Sequence, residues 1–290
     1  MRGTSISKST FREIKLSFGR FAAILAIVAL GVGLFAGLKV TKQAMILTTG
    51  TYLEETRFFD YRLLSTLGFE EQDIEALRSA SGVVAVEGAF SYDILYESES
   101  GRDGVIKAHS ITDNINQLVA VSGRLPEASD ECVVDVNLFP EESVGKKLVL
   151  SKNNTSEDTE HFAYGEYTIV GTVQSPYYIQ FERGNTALGT GRIDGFVYLR
   201  PEGFAEDIYT EVYVKLSEDY PLYSQEYKDY IESTDVRMEE LTVQSAMGRY
   251  DRIVAEAQGE INDAREELEE KRVEGESELS DAWAELEKAR

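Results

Sequence analysis

The sequence predicts an α+β protein. One N-terminal transmembrane helix leads into an α+β domain outside the membrane, and a long C-terminal helix forms one arm of a coiled coil. Three observations predict this. Phe21 to Leu38 is a run of 18 residues without a charged or strongly polar side chain. Between residues 59 and 216, short alternating runs are separated by Gly-, Pro- and Asn-containing breaks, with one clear helix signal. From Val236 to Arg290 there is no proline, and charged helix formers dominate.

Charge sharpens the division. The 290 residues carry 29 Lys+Arg and 52 Asp+Glu, for a net charge of -23. Residues 1–42 hold seven basic groups and one acid, Glu13, so that segment is +6 and the rest is -29. An acidic surface of this size repels nucleic acid, so no nucleic-acid partner is expected. One cysteine, Cys132, excludes an internal disulfide framework, and two histidines, His109 and His161, argue against a His-based metal centre. No cofactor is expected. Cys132 reads as a small buried apolar residue, since neither histidine stands in a catalytic context.

Taken in order, residues 1–20 are a basic cytoplasmic lead and 21–42 a transmembrane helix. An 18-residue helix rises about 27 Å, close to the hydrocarbon thickness of a bilayer. Five basic residues precede the run and two follow it closely, so the positive-inside bias puts the N-terminus in the cytoplasm. A cleaved signal peptide fits less well: the run exceeds an ordinary apolar region, and Lys39, Thr41 and Lys42 make a poor cleavage site. Gly33 and Gly37 form a G-x-x-x-G pair on one helix face, which permits close helix packing in lipid.

Residues 43–235 read as the extracytoplasmic α+β domain. Residues 43–56 continue the helix, with Gly50 as a weak point. Phe59 to Ser65 is a strand, and Gly68-Phe69 with acidic Glu70, Glu71 and Asp73 opens a helix that Gly82 ends. Val83–Glu87, Ala89–Glu97 and Val105–Ile111 follow as strands, giving a strand–helix–strand–strand unit. Gly123-Arg124-Leu125-Pro126 is a turn before the short strand Glu131–Val136. Lys147–Leu150 is a strand, and 151–161 a polar loop in which Asn153 and Asn154 each begin an N-x-[ST] sequon. Tyr167–Val173 and Gly195–Leu199 are strands around a Gly-rich loop. Tyr209–Leu216 alternates strictly, with Thr210, Val212, Val214 and Leu216 on one face. Eleven of the sixteen tyrosines lie between 161 and 230, which reads as packed sheet faces or, alternatively, a ligand surface.

Residues 236–290 are the coiled-coil helix. Its seam is Ile261, Ala264 and Leu268, then Leu279, Trp283 and Leu286, with a stutter in the heptad between Leu268 and Leu279. One narrow stripe needs a partner helix. The helical pattern meets no stop signal before Arg290, so the expectation is a chain that continues or a partner from another chain.

The order of these segments resembles the FtsX-like, MacB-type permease family of ABC transporters. The resemblance rests on the lead Phe11-Arg12-Glu13-Ile14-Lys15 and on the helix Phe69–Leu77 followed by Gly82-Val83-Val84-Ala85-Val86. It rests also on Gly123–Pro126 with Glu131-Cys132-Val133-Val134-Asp135, on Gly145–Leu148, and on Tyr167–Val173 with Ser175-Pro176-Tyr177-Tyr178. It implies the N-terminal portion of a permease of the Gram-positive type with a coiled-coil insertion. Its implied partners are a separate cytoplasmic ABC ATPase, the lipid bilayer, and a homodimer mate or second permease copy. It also implies mechanotransmission for export or envelope regulation, without enzymatic activity of its own. The sequence departs from the family in showing one membrane helix where members have four or more. The alternative is a single-pass, membrane-anchored adaptor or scaffold that binds a partner through its coiled coil. A membrane-anchored hydrolase finds no support: no carboxylate pair stands in a defined setting, and Ser5-Ile6-Ser7-Lys8 matches S-x-x-K only within the lead.

Overall fold

The computed structural model describes residues 12–13, 15, 17–98, 101–217, 220–221 and 223–289. Phe11, Ile14, the Ser5–Lys8 motif and Arg290 lie outside the described residues. The chain divides into two compact units, one of Met1–Glu55 with Pro221–Ser224 and the other of Thr56–Tyr220 with Gln225–Arg290.

The first unit is dominated by α1 (Phe18–Glu55), a single 38-residue helix that runs through Gly50 without a break. Among the described residues it is the one helix long and apolar enough to cross a membrane. Its apolar side chains, Phe18 to Leu47, face outward. Such a surface is unfavourable in water and suited to lipid, where the helix satisfies its own backbone hydrogen bonds.

The second unit is α+β, with strands in two sheets. The smaller sheet has three strands in the order β1 (Tyr61–Phe69), β10 (Tyr209–Leu216) and β2 (Val83–Ala89), all antiparallel. Between β1 and β2 lies α2 (Glu71–Arg78), whose Ile74 and Leu77 are buried on the sheet. The larger sheet has seven strands. Its path is β3 (Ser91–Glu97), β4 (Asp103–Ser110), β9 (Gly195–Leu199), β6 (Glu131–Asp135), β8 (Glu166–Gln174) and β5 (Val119–Gly123), and β7 (Lys147–Val149) also pairs with β8. The pairs β4·β9 and β6·β8 are parallel and the others antiparallel. Its main core gathers Ile94, Ile106, Val134, Val197 and Leu199 with Phe90 and Phe204. Cys132 belongs to this core, fully buried, and burial pushes its thiol up, so it is an unreactive packing residue.

Several expectations are corrected. The strand expected at 59–65 runs instead from Tyr61 to Phe69, so Gly68-Phe69 close a strand rather than open the helix. The helix stops at Arg78, and Gly82 sits in the following turn with φ +85°. The strand–helix–strand–strand unit is not one sheet. β2 stays with β1's sheet, whereas β3 and β4 join the larger one, and the change of sheet occurs at Phe90. That crossing is pinned, since Phe90 N–H donates to Ser110 Oγ (2.8 Å) and Ser91 N–H to Thr210 Oγ1 (2.8 Å). The polar loop 151–161 contains a short helix, α3 (Ser156–Glu160), opened by a Thr155–Asp158 capping box. β5 was not anticipated at all.

Two sequence motifs acquire structural reasons. Gly123 has φ +70°, and a Cβ there would overlap the Val170 carbonyl. Asn154, in the sequon, staples its loop to β3: its Oδ1 accepts from Leu95 N–H and its Nδ2 donates to the Leu95 carbonyl, both at 2.9 Å.

Candidate functional site

The longest element of the second unit is α4 (Gln225–Lys288), 64 residues, or about 96 Å at 1.5 Å per residue. It begins ahead of Val236. Its first half lies on β1 and α2, where Met238 is 4% exposed and packs with Leu63, Ile74, Leu77 and Val214. Beyond Ile253 almost every side chain is exposed. The element is an arm with a seat.

The seat is polar as well as apolar. Glu70 is the N-cap of α2, and Asp73 returns a carboxylate oxygen to the Glu70 N–H at 2.9 Å, completing a capping box. Two arginines one turn apart on α4 close over this box. Arg252 Nε donates to Glu70 Oε2 at 2.8 Å, and its terminal nitrogen donates to both Asp73 oxygens at 3.0 Å. Arg249 pairs with Glu70 as well. The Gln72 amide, and then the two guanidinium groups acting against burial, hold the Glu70 carboxyl below its ordinary value. The positive end of the α2 dipole favours the same two carboxylates. Nearer the start of α4, the Tyr61 hydroxyl lies 2.7 Å from Asp235 Oδ1 and 2.8 Å from Thr234 Oγ1. Arg237 reaches Ser81. Asp60, salt-bridged to Lys215 at 3.2 Å, accepts from the Tyr227 hydroxyl at 3.3 Å.

A second cluster ties the two sheets together. Strict alternation in β10 leaves Glu211 and Tyr213 on the face away from α4, and that face is also covered: Glu211 is fully buried. Arg62 of β1 lies 2.5 Å from its Oε2, and the Tyr213 hydroxyl donates to Oε1 at 2.5 Å. From the larger sheet, His109 of β4 brings Nδ1 to 3.6 Å from Oε1, while its Nε2 meets the Tyr178 hydroxyl at 2.6 Å. Tyr198 stacks on the His109 ring. Burial alone raises the Glu211 carboxyl, but the His109 ring, the Tyr213 hydroxyl and the Arg62 cation outweigh it and hold the group ionised, below the ordinary carboxylate range. Burial pushes His109 down, against the pull of Glu211. Tyr178, Tyr198 and Tyr213 are thus structural parts of the junction between the sheets.

The seam residues expected from the sequence lie along the free half of α4. Ile261, Leu268, Leu279, Trp283 and Leu286 are 49–70% exposed, with Ala264 among them. Gly33 and Gly37 lie exposed on α1, where an added Cβ would meet nothing within 4 Å. His161 pairs with Glu206 at 2.6 Å and stacks on Tyr92, away from His109. Among the described residues no cluster of His, Cys, Asp and Glu is arranged to hold a metal. Sequence reasoning missed the seat and the Glu211 cluster. The E-x-x-D of Glu70–Asp73 and the R-x-x-R of Arg249–Arg252 were visible, but only as an acidic first turn and as ordinary charges of a solvated helix.

Neither a family model nor a curated relative matches the sequence. Among solved structures, the chain is similar to the extracellular domain of the noncanonic ABC-type transporter YknZ from Gram-positive bacteria (12% identity; 59% of this chain, 88% of that one; TM-score 0.36). It is similar to a domain of a permease protein from Porphyromonas gingivalis (13%; 61% and 71%; 0.34). It is also similar to the periplasmic region of MacB from Actinobacillus actinomycetemcomitans (13%; 60% and 74%; 0.33).

Proposed function

We propose that this chain is the N-terminal part of an FtsX/MacB-type ABC transporter permease. In this reading α1 crosses the membrane with the basic lead inside, and a separate cytoplasmic ATPase drives the membrane helices. The outer unit carries that motion to an envelope partner or an exported substrate. The observation that carries the reading is the long arm clamped at its base. A 64-residue helix whose first half packs on β1 and α2, with Arg249 and Arg252 ion-paired to Glu70 and Asp73 of α2, is coupled to the sheet at its base. The buried Glu211 cluster joins that sheet to the larger one. A movement imposed on one part is therefore passed to the others, which is what mechanotransmission requires.

The test is purification of the full chain from its native membrane in mild detergent. The expected result is an ATP-hydrolysing subunit in stoichiometric amount, whose turnover changes several-fold when Arg249→Glu and Arg252→Glu break the clamp. A chain that purifies without such a subunit overturns the permease reading and favours the single-pass adaptor, for which the exposed seam of α4 already speaks.

A further inference from the structure

The apolar seam of α4 does not begin at Ile261. Val243, Met247, Tyr250, Val254, Ile261 and Leu268 are 48–70% exposed, and with Ala257 and Ala264 between them they follow an unbroken alternation of four and three residues. At 100° per residue these positions lie on the side of the helix roughly opposite Met238, Arg249 and Arg252. The docked half of α4 therefore carries two working faces, one spent on β1 and α2 and the other open. Past Leu268 the four-residue stutter returns Leu279 and Leu286 to the same open side.

We infer that this stripe, from Val243 to Leu286, is the docking surface for a basic amphipathic helix, and not for a second copy of the same arm. Charge selects this occupant. Residues 254–289 hold thirteen acids against four bases. Glu260, Glu267, Glu274, Glu278 and Glu285 lie at or beside the edges of the stripe, the positions that select partners in coiled coils. Two of the four bases are already engaged within the helix, Lys271 with Glu267 and Arg272 with Glu269 and Glu276. A second copy would bring a further nine net negative charges to the same stretch, answered on the other edge only by Arg265 and the already engaged Arg272. A helix with Lys or Arg on its edges meets complementary charge over residues 254–289, while beside the seat the stripe offers it apolar surface. The inference rests on the coiled-coil part of the proposed function and is independent of the coupling to an ATPase.

The test uses the full chain in detergent and two synthetic 28-residue heptad peptides. Both have Leu at the seam positions; one has Lys and the other Glu at the edges. The lysine peptide is expected to bind at least tenfold more tightly than the glutamate peptide. Met247→Glu and Leu268→Glu, each at an exposed position that folding does not need, are each expected to weaken it at least tenfold. An added carboxylate strengthens general attraction for a basic peptide, so this loss reads the apolar stripe. Loss from Leu268→Glu alone overturns the extension along the seat. Equal binding of the two peptides overturns the inference. So does a dimer in sedimentation equilibrium that disappears in Leu268→Glu, an outcome that leaves the coiled coil, and the ATPase test of the permease reading, intact.

Discussion

At the scale of single residues, Glu211 sits at the junction between the two sheets. It is a fully buried carboxylate whose two oxygens are taken by Arg62 and Tyr213, with His109 beside them. Removing its charge leaves Arg62 facing the sheet junction unanswered. Breaking one partner of such a buried pair costs about 3 kcal/mol, so Glu211→Gln is expected to lower the free energy of urea unfolding by about that amount at pH 7. The pH dependence has a definite sign. The folded-state carboxyl lies below its unfolded value, so its stabilisation is fully present above the ordinary carboxylate range and is lost as pH falls through and below it. Titrating the urea midpoint from pH 7 to pH 3 should therefore show the wild type losing more stability than Glu211→Gln. Parallel curves would mean that the carboxyl is not held ionised by its neighbours.

At the scale of elements, the seat of α4 depends on coupling between residues about 180 positions apart. Arg252 and Asp73 share two hydrogen bonds at 3.0 Å, and Glu70 joins them. A double-mutant cycle of Arg252→Ala and Asp73→Ala should give a coupling of about 1 kcal/mol, as residues within one ion-pair network do, and hydrogen exchange over 231–252 should quicken in either single variant. Additive effects would reduce the clamp to surface decoration. The same element shows what the sequence made legible. The exposed seam from Ile261 to Leu286 and the two faces of β10 were readable, because periods of 3.6 and 2 are local properties of the chain. Which sheet each face of β10 would meet was not readable, since β10 enters between β1 and β2 from more than 120 residues away. β5 escaped notice because its five residues are short, uncharged and mostly exposed, without the alternation that marks a half-buried strand. The Glu211 cluster escaped for a related reason: one glutamate among 52 acids is distinguished only by the partners that topology brings to it.

At the scale of the whole molecule, the charge step across α1 makes a claim about sidedness. The basic lead, residues 1–20 at +4, and the strongly acidic chain beyond the span should end on opposite sides of a membrane, with the lead inside. The chain's cysteine content makes this directly testable. Cys132 is its only cysteine and is fully buried, with its thiol pushed up, so it contributes little background to labelling. A second cysteine is introduced by Ser7→Cys in the lead or by Ser156→Cys at the exposed start of α3. Intact cells are then treated with a membrane-impermeant maleimide. Ser156→Cys is expected to label before lysis, and Ser7→Cys only after it. The reverse pattern would invert the orientation, and with it the premise that an ATPase in the cytoplasm acts on the basic side. Labelling of both before lysis would mean that α1 does not span the bilayer, and the -29 unit would then have no membrane helix through which to be driven.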